Sequence, residues 1–312
     1  MQKNNIKGSL ILGVAALIWG LAFVAQNKAA DHVPPFLFNS LRSFIGTAFL
    51  LGFLAIKKLR SKEPVFPKTP EHKRATLIGG MLCGITLALS VNFQQMGITV
   101  YPDNVANEAR SGFITALYVI IVPIASVLIG KRIPKIVWGA AAVAIGGIYL
   151  LCGGGAISGI HTGDILMFGC AITFTLQILC IDRYGAEVGG ARLSMIQFFI
   201  CGIISGIISI FVEWDVISLS GIIAAAPQIL YLGIMSSGVA YTLQIVGQRY
   251  AEPAVASITM SLESVFAALG GWLISGNTLT LREIIGCTLV FAAIILAQTP
   301  EFLTKKRTLI AD

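Results

Sequence analysis

The chain has 312 residues, of which 56% are apolar and only 12% charged, and its mean hydropathy is +0.84. Globular domains carry roughly 25% charged residues, so an ordinary soluble protein is excluded. Disorder is excluded too, because disordered chains are poor in apolar residues. The class is a polytopic membrane protein.

Ten apolar stretches are expected, each close to the roughly 20 residues a helix needs to cross the hydrocarbon core. The first, near 8–29, follows Lys3 and Lys7. It is too long for a signal peptide, and nine more follow, so it reads as a span. Trp19 lies near its middle, away from the interfacial belt, which fits cavity lining as well as core packing. The second, near 35–57, follows Pro34-Pro35 and carries Arg42. The third, near 75–98, holds Asn92, Gln94 and Gln95. The fourth, near 105–130, holds Arg110 and then Pro123, where a kink is expected. The fifth is placed near 134–152, and a glycine run at 153–155 follows it. The sixth, near 163–182, contains Gln177, and the seventh, near 192–212, contains Gln197. The eighth, near 222–246, contains Gln244. The ninth, near 253–275, contains Glu263, and the tenth lies near 283–299.

Eighteen of the 22 Lys and Arg residues fall at the N-terminus, in the even-numbered gaps and at the C-terminus. The odd-numbered gaps keep Lys28 and Arg282 and hold acids, among them Asp31, Asp164, Glu213 and Asp215. By the positive-inside rule both termini are cytoplasmic, which requires an even number of spans. The net charge of +7 is therefore a topology signal and implies no nucleic-acid partner.

The third and eighth stretches repeat weakly. Gln94 matches Gln244 and Gly97 matches Gly247 at one separation, Gly130 and Gly276 close the fourth and ninth, and Gly139 and Gly286 follow about ten residues later in the fifth and tenth. Two five-span halves of opposite orientation follow, with expected bounds 1–152 and 163–300. An outer linker at 153–162 joins them, and a basic tail at 301–312 closes the chain. Inverted repeats of this kind are a mark of secondary transporters, whose solute site lies at the repeat interface near mid-membrane. Gly80-x-x-x-Gly84 and Gly202-x-x-x-Gly206 are small-residue patterns that allow close helix approach.

Ionised groups inside a span are costly and need a reason. Glu263 lies deepest, on an expected face of Ala256, Thr259, Glu263, Ala267 and Gly270. It suits a coupling carboxylate or a solute contact, and equally a structural bond between two helices. Arg42 and Arg110 would clamp a carboxylate or phosphate, or else snorkel outward or pair with a neighbour such as Glu108. The amides Asn92, Gln94, Gln177, Gln197 and Gln244 suit interhelical bonds and, as a set, a polar interior for a solute with donors and acceptors. The six cysteines are scattered with no Cys-x-x-Cys pair, and the three histidines fall in gaps. No cofactor or metal is expected. His-Glu-x-x-His, Gly-x-Ser-x-Gly and phosphate-loop signatures are absent, so no enzyme is expected either.

Several segments together resemble one family. Leu17-Ile18-Trp19-Gly20-Leu21-Ala22-Phe23-Val24 opens the chain, Arg42 sits in the second span, and Arg110 to Val119 runs on to Val122-Pro123 in the fourth. Gly163-Asp164 opens the second half, and Tyr241-Thr242-Leu243-Gln244 and Ser261-Leu262-Glu263-Ser264-Val265-Phe266 mark the eighth and ninth spans. These are similar to the EamA-type permeases of the drug/metabolite transporter superfamily over nearly the whole chain. Ser264 departs from a common Pro, and Asn277 from a common acid. The resemblance implies ten helices in two inverted repeats and a central cavity, with Tyr241 among its residues. It also implies alternating-access transport, most often export of amino acids or related metabolites, in a bacterial inner membrane. The expected partners are a small-molecule solute and the lipid bilayer. Proton coupling is compatible with the sequence, as is either a monomer or a homodimer. A lipid-carrier flippase or nucleotide-sugar carrier is the transport alternative, and a non-transporting sensor or assembly partner is the other.

Overall fold

The structure is a computed structural model and describes residues 4–61, 69–101, 107–152, 160–275 and 280–311. The side chains of 23, 24, 27, 61, 107–110, 271, 274, 275 and 300–311 are outside that description. The described elements are helical. In chain order they are α1 (Asn5–Ala30), α2 (Pro35–Ser61), α3 (Pro70–Thr99), α4 (Asn107–Thr115), α5 (Tyr118–Leu128), α6 (Lys135–Leu151) and α7 (Thr162–Val188). Then come α8 (Gly190–Val212), α9 (Leu219–Ala224), α10 (Ala226–Tyr231), a π-helical segment (Leu232–Ala240), α11 (Tyr241–Gln248), α12 (Pro253–Met260), α13 (Leu262–Ser275) and α14 (Leu281–Ala311). Among the described residues nine helical segments are long and apolar enough to cross a membrane. The fifth expected stretch, α6, is shorter at 17 residues. The chain is an all-α multi-pass membrane protein.

Helix α8 shows how the sequence suits lipid. Phe199, Ile203, Ile207, Ile210 and Phe211 form its exposed stripe, while Ser194, Gln197, Cys201, Ser205 and Ser209 recur every three or four residues on the buried side. A soluble helix would reverse that pattern. Because lipid tails are as apolar as Leu, helices associate here through close packing and interhelical hydrogen bonds. Asn39 of α2 donates to the Val91 carbonyl at 3.0 Å and to Asn92 Oδ1 at 2.9 Å, and Asn92 donates to Ser205 Oγ at 2.9 Å. One polar chain thus joins α2, α3 and α8. Glycine supplies the closest approach: a Cβ on Gly147 of α6 would lie 2.8 Å from the Gly286 carbonyl oxygen of α14, and one on Gly286 2.7 Å from that of Gly147. The sequence paired Gly286 with Gly139, but Gly139 faces open space.

The packing partners come in exchanged pairs. α3 packs on α7 and α8, while the π-helical segment and α11 pack on α1 and the π-helical segment also packs on α2. α1 meets α12 and α13, and α7 meets α4 and α5. α2 with α8 and α6 with α14 are their own counterparts. Swapping the first five stretches for the last five leaves this set of neighbours unchanged. Individual contacts follow the exchange. Gly97 approaches the Gly163 carbonyl oxygen, and Gly247 approaches that of Gly8. A glutamine pair also joins the same pair of stretches in each half, out of register and with the donor reversed: Gln26 donates to Gln95 at 2.7 Å, and Gln244 donates to Gln177 at 3.2 Å.

Contacts between segment ends join even gaps to even and odd to odd. On one face the Glu252 N–H donates to Asn5 at 2.9 Å, Lys7 lies over the Tyr250 ring, and Lys131 pairs with Asp182. On the other, Tyr101 donates to Asp164 at 2.8 Å, and Asp164 also accepts the His161 N–H at the start of α7. There too, both oxygens of Glu213, at the end of α8, accept the Phe36 and Leu37 N–H groups at 2.8 Å each. These are orphan donors of the first turn of α2, in a helix that begins with Pro35 and has no acid of its own there. Charge-assisted bonds are worth about 1.5–3 kcal/mol each. Glu213→Ala is therefore expected to lower stability in detergent by about 3 kcal/mol, read as a fall in the thermal unfolding midpoint, with Glu213→Gln losing less.

Two helices break without a breaking residue at the break. The fourth stretch is interrupted at Ala116 and Leu117, where Leu117 and Val119 bond three residues back. Pro123, where a kink is expected, lies inside α5 and not at this interruption. The ninth is interrupted at Ser261, between α12 and α13. That break splits the expected Ala256–Gly270 face. Thr259 turns to bond Ser9 at 3.0 Å, whereas Glu263 turns inward.

Candidate functional site

The broken helices and the π-helical segment meet around one central cavity of about 70 Å³. A water needs roughly 10–15 Å³ on the same measure, so the space holds several waters or a compact solute. Trp19, Ala22 and Gln26 line it from α1, Arg42 from α2, and Gln94 from α3. Tyr118 enters from α5, Phe174 and Ile178 from α7, and Ser236 from the π-helical segment. Tyr241 and Gln244 of α11, Met260 of α12 and Glu263 of α13 complete the lining.

The walls are held from behind. Trp19 meets Tyr241 edge-on with centroids 4.9 Å apart, and Phe198 meets Tyr241 at 5.0 Å. Tyr241 is placed by the π-helical segment, since its N–H bonds to the Ser236 carbonyl five residues back. Such π-turns recur at functional sites, because they re-aim the side chains that follow. Gln244 is held by Gln177, and Gln26 by Gln95.

Two charges face this space. Arg42 is 5% exposed and lies over the Phe38 ring at 5.4 Å. Among the described residues it makes no hydrogen bond or ion pair, and its Nε is buried without a partner. Glu263 accepts the Tyr118 hydroxyl at 3.4 Å. The two charges do not pair with each other. An unpaired buried charge is costly, so each of these groups favours a ligand that brings the opposite charge.

Six of the ten residues singled out from the sequence line this cavity: Trp19, Arg42, Gln94, Tyr241, Gln244 and Glu263. Gln177 stands one layer behind, bonded to Gln244. Asn92 lies away from the cavity in the α2–α3–α8 polar chain. Gln197 is fully buried, with neither amide atom bonded among the described residues, and is not in the lining. Arg110 falls in α4, and its side chain is outside the described residues. Of the polar lining the sequence reading missed Gln26, Tyr118 and Ser236, and of the apolar lining Ala22, Phe174, Ile178 and Met260. The Gln26–Gln95 pair could have been found, because its separation nearly matches that of Gln177 and Gln244. Tyr118 and Ser236 carry no such signal.

Comparison with known proteins adds relatives to this geometry. A family model described as the EamA-like transporter family matches residues 6–153 and again 161–299. An uncharacterized transporter of Archaeoglobus fulgidus is 30% identical over 95% of this chain and 87% of its own. The uncharacterized inner membrane transporter YedA of Escherichia coli is 24% identical over 95% of this chain and 92% of its own. The threonine/homoserine exporter RhtA of Escherichia coli is 27% identical over 86% of this chain and 82% of its own. A solved crystal structure aligns over 94% of this chain and 96% of its own with a TM-score of 0.74 at 19% identity, a likeness of fold.

Proposed function

The chain belongs to the EamA-like transporter family, and from that premise we propose that this membrane transporter exports a small zwitterionic metabolite of the amino-acid class by alternating access. The observation that carries the reading is one membrane-embedded cavity holding Arg42 and Glu263 unpaired with each other. Arg42 offers a fork of N–H donors to a carboxylate. Glu263 offers a carboxylate to an ammonium group and would carry the coupling proton. Trp19, Gln94, Tyr241 and Gln244 supply the aromatic wall and the amide partners. The relative RhtA, named as a threonine/homoserine exporter, supports the solute class.

The topology we propose has ten crossings in two inverted halves, with both termini in the cytoplasm of a bacterial cell and the bilayer an inner membrane. The exchanged packing pairs and the like-with-like contacts of segment ends support it. So do the basic even gaps and the relative YedA.

The test is flux into proteoliposomes loaded with unlabelled amino acid and offered labelled L-threonine, L-homoserine and a wider amino-acid panel. Saturable counterflow of at least one member is the expected result. No flux and no thermal stabilisation by any amino acid would remove the solute class.

A second reading rests on a lateral groove of about 370 Å³ between α1 and α14. Its floor, Thr259, Leu262 and Phe266, backs onto the Met260–Glu263 wall of the cavity. That apolar flank suits a lipid-linked solute. Stabilisation by an isoprenoid-linked sugar, with free amino acids silent, would favour a flippase.

A further inference from the structure

The fourth and ninth stretches are both interrupted in mid-course, and the two interruptions meet at the cavity. Tyr118 is the first residue of α5 after the break at Ala116–Leu117, and Glu263 is the second residue of α13 after the break at Ser261. α5 packs against α12. The Tyr118 ring is buried in the main apolar cluster beside Val119, Val255 and Ile258. Its hydroxyl reaches out of that cluster into the cavity lining. There it makes the one hydrogen bond that Glu263 has among the described residues, at 3.4 Å. An O–H···O bond is strongest near 2.7–2.8 Å, so this one holds loosely and is readily exchanged.

Building on the zwitterion reading above, we propose that Tyr118 is a positioning residue. Its hydroxyl holds the Glu263 carboxylate in the empty cavity and gives way to the cationic group of the incoming solute. The consequence is specific. Solute binding must break the Tyr118–Glu263 bond, and solute release is helped by its return. The bond also ties the two broken helices together only while the cavity is empty, so a bound solute frees one interruption from the other.

The experiment compares wild type with Tyr118→Phe, which keeps the buried ring and removes only the hydroxyl. In counterflow of labelled L-threonine, KM is expected to fall about 3- to 10-fold, the range one lost competing hydrogen bond allows, and Vmax to fall with it. A merely structural role would lower Vmax with KM unchanged or raised, and that result overturns the proposal. A second arm needs no solute. Dicyclohexylcarbodiimide enters from the lipid phase. The carboxyl oxygen bonds to its central carbon and the carboxyl proton goes to its nitrogen, giving an O-acylisourea that rearranges to a stable N-acylurea. This labelling at Glu263 is followed by mass spectrometry, with Glu263→Gln as the blank. Labelling is expected to be at least about threefold faster in Tyr118→Phe, since a freed carboxyl is more available. An unchanged rate overturns the proposal. If wild type moves no amino acid, the solute class fails by itself, and the labelling arm still decides the role of Tyr118.

Discussion

Replacing Glu263 by Gln is expected to abolish flux driven by a pH gradient, lowering the initial rate by about 100-fold or more, while the protein still inserts and folds. Gln keeps the shape of the side chain and an oxygen for the Tyr118 hydroxyl, which approaches Glu263 at 3.4 Å. What it removes is the negative charge and the proton that this charge can carry. An ion pair to a solute ammonium worth about 3 kcal/mol corresponds to two orders of magnitude in affinity. The measurement is uptake into proteoliposomes with an imposed pH gradient, beside gel filtration of the same sample. If Glu263→Gln retains gradient-driven flux, Glu263 leaves the mechanism. The loss of charge from a buried wall should leave the fold as stable as before or more so, which separates this outcome from misfolding.

Arg42→Met should lose function and gain stability together. The guanidinium is 5% exposed, stacks on Phe38, and has no hydrogen bond or ion pair among the described residues. An arginine at the centre of a membrane helix costs at least about 2.5–3.5 kcal/mol on insertion scales, less toward the ends. Arg42 lies two turns into α2, and no acid among the described residues pairs with it. Met has a comparable length and no charge, so a gain of about 2 kcal/mol is expected, read as a rise of several degrees in the unfolding midpoint. Solute affinity should fall by about 100-fold, because the carboxylate clamp is gone. Arg42→Lys should recover part of the affinity and none of the stability, since an ammonium is a point charge without the planar fork. Arg42→Met that is less stable than wild type would show that Arg42 holds the fold together instead of serving a solute.

The order of spans was legible because lipid imposes a strong pattern: long apolar runs, with cations gathered in alternate gaps. Six cavity residues were legible for a related reason. A charge or amide inside an apolar run has few places to go, and Arg42, Gln94, Gln244 and Glu263 all turn inward. The same reasoning could not separate Gln244, which faces the cavity, from Gln177 behind it or from Asn92 in the polar chain between α2, α3 and α8. All three satisfy the rule that a polar group in a membrane faces protein. The helix breaks were illegible because neither Ala116-Leu117 nor Ser261 is a helix breaker by itself, while Pro123 is one and was tolerated. Neighbouring helices can re-satisfy the freed backbone in a bundle, so the location of an interruption is decided by tertiary packing. The break at Ser261 also explains why a constant helical period misassigned Thr259 to the face of Glu263.

The exchange of halves has one consequence for the solute itself. Trp19 and Phe174, both in the cavity wall, stand 155 residues apart, the same offset as Gly8 and Gly163. Gln94 and Gln244 are likewise counterparts at 150 residues. A container built only from such pairs would accept a molecule equally well head first or tail first. The charges remove that degeneracy. At the 155-residue offset Arg42 corresponds to Gln197, which is buried outside the lining, and Glu263 faces Tyr118 from the other half. The cavity therefore has a handed electrostatic axis inside a scaffold that is close to twofold. On the alternating-access mechanism proposed above, a zwitterion seated along that axis would keep a single polarity while the two halves exchange which side is open. Methyl-esterifying its carboxylate or acetylating its amine should each defeat recognition separately, because neither end of the molecule can stand in for the other.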